Sequence, residues 1–290
     1  MQSLWMVAAG LSFALMGVIV NLAASQFSAA ELVFYRAIMQ MAVAWGVLAS
    51  AGVSVRTTKL GMHVHRGVAG FVSLFMFFYA LTTLPVATAM TLNYMSPLWL
   101  ALLLTGIARE RPGTRLVVTV LLGFAGCVML LRPTLSAGQI WPATIGMVSG
   151  VISAVAYWNV RELVRAREPV ARVVFYFALF AVLGSLVWMA PQQWHPVTIA
   201  NIWMLAGVGI FGSSGQLAMT RAYGRGSTLV TAALSYSGIV FSALLGVLVG
   251  HDALPLIAWL GIALIIAAGI IAVQLQPGPH KEPAPQVTND

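Results

Sequence analysis

The chain has 290 residues, 60% of them hydrophobic and only 8% charged, with a formal net charge of +8. A soluble globule of this size needs a much larger polar surface, so the composition excludes one and indicates a chain that crosses a bilayer repeatedly. A single cysteine, Cys127, excludes a disulfide framework and a thiolate metal site, and neither a metal nor a cofactor is expected.

A hydrocarbon core about 30 Å thick takes about 20 apolar residues of helix. Ten such runs can be counted, at residues 3–23, 30–51, 64–82, 86–108, 115–131, 141–160, 172–190, 198–219, 228–249 and 255–274. The expected fold is all-α, a polytopic membrane protein with ten transmembrane helices. With the N-terminus inside, every Lys and Arg except Arg36 and Arg132 falls in an inner loop or the tail. The positive-inside rule then places both termini in the cytoplasm, and the basic excess reports topology rather than nucleic-acid binding.

In chain order, the first run has no basic n-region and is too long for a signal-peptide core, so it reads as a retained helix. It carries a small-residue stripe of Gly10, Ala14 and Gly17, which lets helix backbones approach. The second run holds Arg36 about two turns from the outer surface, where it either snorkels, binds a carboxylate or makes a gating contact with Glu31. In the third, Phe75, Phe77 and Phe78 suit lipid, whereas the hydroxyl of Tyr79 wants a partner in a dry site.

The fourth run contains Asn93, Tyr94 and Pro97. Pro97 cannot donate to the Asn93 carbonyl, so an acceptor is freed within the membrane and must find another helix, a water or a ligand. A copy of this stretch lies 142 residues later, with Leu92 over Leu234, Tyr94 over Tyr236 and Ala101-Leu102-Leu103 over Ala243-Leu244-Leu245. Both copies end on an acid, Glu110 and Asp252. The sixth run repeats the start of the first, with Trp141 and Gly146 matching Trp5 and Gly10 at an offset of 136.

Five helices per half is an odd number, so the second half must enter the membrane with the opposite sense. The expected organisation is a first repeat over residues 1–137 and a second, inverted one over 138–275, a 5+5 inverted repeat around a central cavity. Residues 276–290 are expected to form a disordered cytoplasmic tail. Because the fourth and ninth helices run oppositely, Tyr94 and Tyr236 are expected on opposite sides of the midplane.

The remaining polar positions are Tyr157 and Trp158 before a basic loop, Gln216 among glycines in the eighth run, and Gly238, Ser242, Gly246 and Gly250 at four-residue spacing in the ninth. The last is a helix-packing face that sets Ser235 and Tyr236 beside a groove. Gly207-Val208-Gly209-Ile210-Phe211-Gly212 spells a dinucleotide fingerprint but follows no strand. Ser214 resembles an intramembrane protease nucleophile, yet His195 and His251 fall at the opposite surface, and His63 and His65 fall in an inner loop with no carboxylate beside them. No enzyme activity is expected. None of the seven acids falls in the middle of a helix, which argues against a strongly cationic substrate and for facilitated diffusion, exchange or coupling through other groups.

FYALTTLPVATAMTLNYMSPLWLALL, its counterpart RAYGRGSTLVTAALSYSGIVFSALL, the FYR at Arg36 and the acids after the fourth and ninth helices together resemble the drug/metabolite transporter superfamily, in its ten-helix EamA-type carriers. The Asn-Tyr and Ser-Tyr pairs look most like the YddG-type exporters of aromatic amino acids. The resemblance implies a multi-pass protein of the bacterial inner membrane, with a cavity lined by helices 1, 3, 4, 6, 8 and 9, exporting small metabolites by alternating access. Where helix 9 usually carries an acid-Pro pair, this chain has Gly238-Ile239, so that acid's role does not carry over.

The substrates expected are aromatic and other neutral amino acids, for a carrier among lipids with no nucleic-acid partner; the sequence leaves the oligomeric state open and is compatible with a monomer. Tyr79, Tyr94, Tyr157, Trp158 and Tyr236 would supply flat walls, and Asn93, Gln216 and Ser235 polar contacts. Arg36, Pro97 and Gly238 would gate or bend the helices. A drug or nucleotide-type exporter is the alternative within the superfamily, the latter needing basic groups in the cavity, for which the sequence offers only Arg36. A channel or a non-transporting scaffold is the alternative outside it.

Overall fold

The computed structural model describes residues 2–109, 113–191, 193–250 and 254–275. The expected disordered tail and the residues Glu110, His251 and Asp252 lie outside the described residues. Among those described, the chain is helical throughout, with ten spans long and apolar enough to cross a membrane. Eight are single helices: α1 Trp5–Ala23, α2 Ala29–Ser50, α3 Leu60–Thr83, α6 Thr114–Leu131, α7 Ile140–Arg165, α8 Val170–Met189, α9 Ile202–Arg225 and α12 Leu256–Gln274. The fourth span is split into α4 Val86–Asn93 and α5 Ser96–Gly106, and the ninth into α10 Thr228–Leu234 and α11 Ser237–Gly250.

Three helices extend past their hydropathy limits, and this corrects the placement of several charges. His63, His65 and Arg66 belong to α3 rather than to an inner loop; Arg161, Glu162 and Arg165 belong to α7, and Arg221 and Arg225 to α9. The hydropathy limits of the sixth and eighth spans stop just before Arg161 and Arg221, and the positive-inside count sets Arg66 with the inner loop although it falls within the third apolar run. Helix propagation instead adds a backbone hydrogen bond for each residue fixed, and Arg and Glu are good helix formers. With 26 residues, α7 is about 39 Å long, more than the hydrocarbon core requires.

Packing crosses between the two halves of the chain. α1 lies along α9 and α11, and α7 along α3, α4 and α5, while α2 packs on α8 and α6 on α12. Two crossings are made backbone to backbone. A Cβ on Gly10 would stand 2.9 Å from the Gly238 amide nitrogen, and one on Gly150 would stand 2.8 Å from the Leu92 carbonyl oxygen. Only glycine fits at either point, so α1 is pressed onto the ninth span and α7 onto the fourth. Of the four-residue stripe in the ninth span, Gly238 packs in this way but Ser242 is exposed, so the stripe is not one continuous packing face.

One end of the bundle is strongly basic and is tied together by polar contacts. Thr57 donates to Glu168 at 2.8 Å, Arg172 Nη2 to the Ser54 carbonyl at 2.6 Å, Lys59 Nζ to the Ala166 carbonyl, and Arg221 Nε to Gln2 at 3.0 Å. The N-terminal turn and the ends of α3, α7 and α9 therefore share this face.

Candidate substrate site

The two broken spans define the middle of the molecule. In the fourth, Tyr94 and Met95 leave the helical path between α4 and α5, and Pro97 sits in the first turn of α5, where its missing N–H costs no hydrogen bond. The proline thus starts a new helix instead of kinking a continuous one. In the ninth the same interruption falls at Ser235 and Tyr236 with no proline, Ile239 standing where the repeat offset would put one. There the hydroxyls of Ser235 and Ser237 each donate at 2.7 Å to carbonyls of α10, those of Ala232 and Leu234.

The breaks bring four tyrosines together. The Tyr94 and Tyr236 rings have centroids 6.4 Å apart, and Tyr157 of α7 stacks on Tyr223 of α9 at 4.8 Å with an 11° interplanar angle. Tyr236 is fully buried and its hydroxyl has no partner. Tyr94 and Tyr236 are therefore close neighbours across the two breaks rather than well-separated flanking groups, a point that helix direction alone does not reveal.

A polar ladder leads away from the fourth-span break along one face of α7. Asn93 Nδ2 donates to Ser149 Oγ at 3.1 Å, and Ser149 Oγ to the Gly146 carbonyl at 2.6 Å. Ser73 of α3 donates to the Ser149 carbonyl at 2.9 Å; its one proton being used there, Ser153 must be the donor in the 2.6 Å Ser73–Ser153 contact. Ser149, Ser153, Tyr157 and Arg161 recur every four residues and so lie on a single face. Ser149, Ser153 and Arg161 were not among the residues expected at the site, although this spacing was present to be read.

Arg66 is the main correction to the expectation of one basic group. It lies in α3 at 3% exposure with Nε and Nη1 lacking hydrogen-bond partners, its guanidinium carbon 4.2 Å from the Phe177 ring centroid. Tyr157 is the ionisable group facing it. Arg36 sits over the Phe13 ring at 5.7 Å, its Nε buried, unpartnered and pressed on Gly212. Among the described residues neither arginine has a carboxylate partner.

Glu31, the expected partner of Arg36, is occupied elsewhere. It closes the capping box at the start of α2 with Ser28 and accepts from the backbone N–H of His195 at 2.6 Å, with His195 Nδ1 2.8 Å away. At the basic end His63, fully buried, sits 3.3 Å from Glu168, so it does have an adjacent carboxylate. Burial raises the Glu168 carboxyl, but hydrogen bonds from Thr57, Arg172 and His63 outweigh it and hold the group below its ordinary value of 4.5.

The other expected residues are dispersed. Gln216 is buried with an unpartnered Nε2, one turn from Gly212 along α9, and Gln40 of α2 is likewise buried and unpartnered. Trp158 packs against the central cluster with its indole N–H unpartnered. Ser235 faces Tyr223. Tyr79, at 38% exposure, lies away from the other tyrosines in an apolar surface groove of about 400 Å³ with Phe75 and Trp141. A separate cleft of about 250 Å³ at the basic end is lined by Trp5, Val170, Arg221 and Arg225.

The EamA-like transporter family model matches residues 1–132 and 140–274. The chain belongs to the EamA-like transporter family. It is a multi-pass membrane transporter of the drug/metabolite type. The Pseudopaline exporter CntI of Pseudomonas aeruginosa (strain UCBPP-PA14) is 30% identical over 94% of this chain and 95% of its own. A riboflavin transporter of Vibrio cholerae is 26% identical over 91% of this chain and 90% of its own. An S-adenosylmethionine uptake transporter of Rickettsia prowazekii is 25% identical over 66% of this chain and 64% of its own. A solved crystal structure superposes with a TM-score of 0.79 at 26% identity, covering 93% of this chain and 97% of the other.

Proposed function

We propose that this EamA-family transporter is a bacterial inner-membrane exporter of small amino-acid-like metabolites, aromatic amino acids among them, working by alternating access between two inverted five-helix repeats with both termini cytoplasmic. The observation that carries the substrate class is the group of Tyr94, Tyr157, Tyr223 and Tyr236 at two opposed helix breaks. Flat rings offer stacking walls, and the breaks expose backbone and side-chain polar groups to a zwitterion. The family match in two segments and the exchange of packing partners between halves support the repeat. The basic end is cytoplasmic on this reading.

The carrier does not hold a carboxylate in the described middle of any span, which suits exchange or facilitated diffusion. Uptake of labelled tryptophan, phenylalanine and threonine into proteoliposomes tests the substrate class. Saturable uptake of at least one is expected; rates equal to those of empty liposomes for all three would refute it. A larger metabolite as cargo is the second reading, favoured by the 30% identity to a pseudopaline exporter along nearly the full chain. Inhibition of uptake by such a compound, with no uptake of amino acids, would select it.

A further inference from the structure

We infer that Arg66 is an anion-binding subsite on the cytoplasmic limb of the substrate pathway, taking a carboxylate and passing it along the α7 ladder to the break at Asn93. The inference rests on the proposed orientation and direction of transport, and it adds the charge of the cargo and its route.

An arginine this deep in a membrane protein is costly. A buried charge without a paired acid loses its hydration, and a ring contact only partly offsets that loss. Arg66 has the ring contact, with Phe177, but neither a carboxylate nor a hydrogen-bond acceptor on Nε and Nη1. Two of its N–H-bearing nitrogens, Nε and Nη1, are thus held dry with nothing to bind; they lie on different edges of the guanidinium, so each would take a single oxygen of an anion. Room for the guanidinium is made by Gly70, one turn along α3, where any side chain would collide with Nη1.

The surroundings give the site a direction. Tyr157 faces Arg66, and on the same helix face Ser153 and Ser149 lead to Asn93 at the break, each hydrogen-bonded to the next group or to Ser73. In the opposite sense Arg161 occupies the next turn toward the basic end, also buried. A cation at the entrance followed by hydroxyls and an amide suits a solute that carries a carboxylate and sheds water gradually. A cation would meet repulsion at the first step.

Thiol labelling in inside-out membrane vesicles tests this without knowledge of the natural cargo. The full-length carrier with Cys127→Ala and Ser153→Cys is treated with the anionic sulfonatoethyl or the cationic trimethylammonioethyl methanethiosulfonate, each rate being divided by its rate with free 2-mercaptoethanol. The normalised anion-to-cation ratio is expected to be roughly tenfold or more with Arg66 in place. It should persist in Arg66→Lys and fall to about one in Arg66→Gln. A ratio near one with Arg66 present, a ratio unchanged by Arg66→Gln, or no reaction at position 153 from this face would overturn the inference. The first of these needs no Arg66 variant to fold. Amino-acid transport measured on the unsubstituted carrier separates the two readings: transport there with a labelling ratio of one overturns only the subsite, and a high ratio without amino-acid transport refutes only the amino-acid substrate.

Discussion

The fourth and ninth spans both break, with Tyr94 and Tyr236 side by side, but they are treated differently by their neighbours. At the fourth, α7 brings hydroxyls: Asn93 bonds Ser149, and the ladder continues through Ser73 and Ser153 toward Arg66. At the ninth, α1 brings Gly10 against the Gly238 backbone, and the Tyr236 hydroxyl is left buried and unpaired. A break frees backbone groups in either case, and what faces it decides whether the result is a polar track or a tight seal. The asymmetry means that the sequence repeat preserves an architecture without preserving a chemistry.

The most damaging change should be a branched side chain at either glycine crossing. Gly10→Val and Gly150→Val each push a Cβ into backbone atoms that cannot swing aside. Each should lose about 3 kcal/mol or more and abolish transport, read as a lowered unfolding midpoint of the purified protein and as flux in proteoliposomes. If one is tolerated, the two crossings are not equivalent constraints.

A smaller effect is expected at Glu168, which anchors the start of α3 on the polar side through His63. Its lowered carboxyl contributes stability that is present above the ordinary value of 4.5 and is lost as pH falls through the folded-state value. Glu168→Gln should therefore destabilise the carrier at neutral pH by about 2 kcal/mol and weaken the acid dependence of unfolding below about pH 4.5. An acid limb unchanged by the substitution would assign it to another group.

Smaller still, and set directly against each other, are the polar groups at the two breaks. Asn93→Ala should cost about 1 kcal/mol by leaving Ser149 without its donor, whereas Tyr236→Phe should leave stability unchanged or slightly raised, because the hydroxyl it removes has no partner to lose. Paired thermal unfolding of the two variants checks this, and a larger loss in Tyr236→Phe would reverse the contrast. The least effect is expected from Pro97→Ala, below about 1 kcal/mol. The ninth span breaks without a proline, so the fourth should remain broken, with labelled amino-acid transport retained.

Much of this was legible along the chain. The ten spans follow from apolar length, and the equivalence of Tyr94 and Tyr236 along the chain from a local repeat. Arg66 and His63 were misplaced because charges at the end of a span are counted with the adjoining loop even when the helix continues through them. Tyr223 was missed because one tyrosine near a basic helix end looks like an interfacial anchor; only the stack with Tyr157, from a helix far away in sequence, gives it a place at the centre. Tyr79 lines a surface groove with Phe75 and Trp141, a placement the sequence could not give, since an aromatic with a hydroxyl reads alike whether its helix turns it inward or toward the surface.

By itself the sequence determined the all-helical membrane class, the number of spans, the basic end and the two related stretches, since each depends on composition or on order along one helix. Only the tertiary structure decided that both spans break fully, that the four tyrosines meet, that Glu31 belongs to His195 rather than Arg36, and that Arg66 is buried without an acid. Those outcomes depend on which helix faces meet, and that is fixed by close backbone crossings such as Gly10 on Gly238 and Gly150 on Leu92, between residues far apart in the chain.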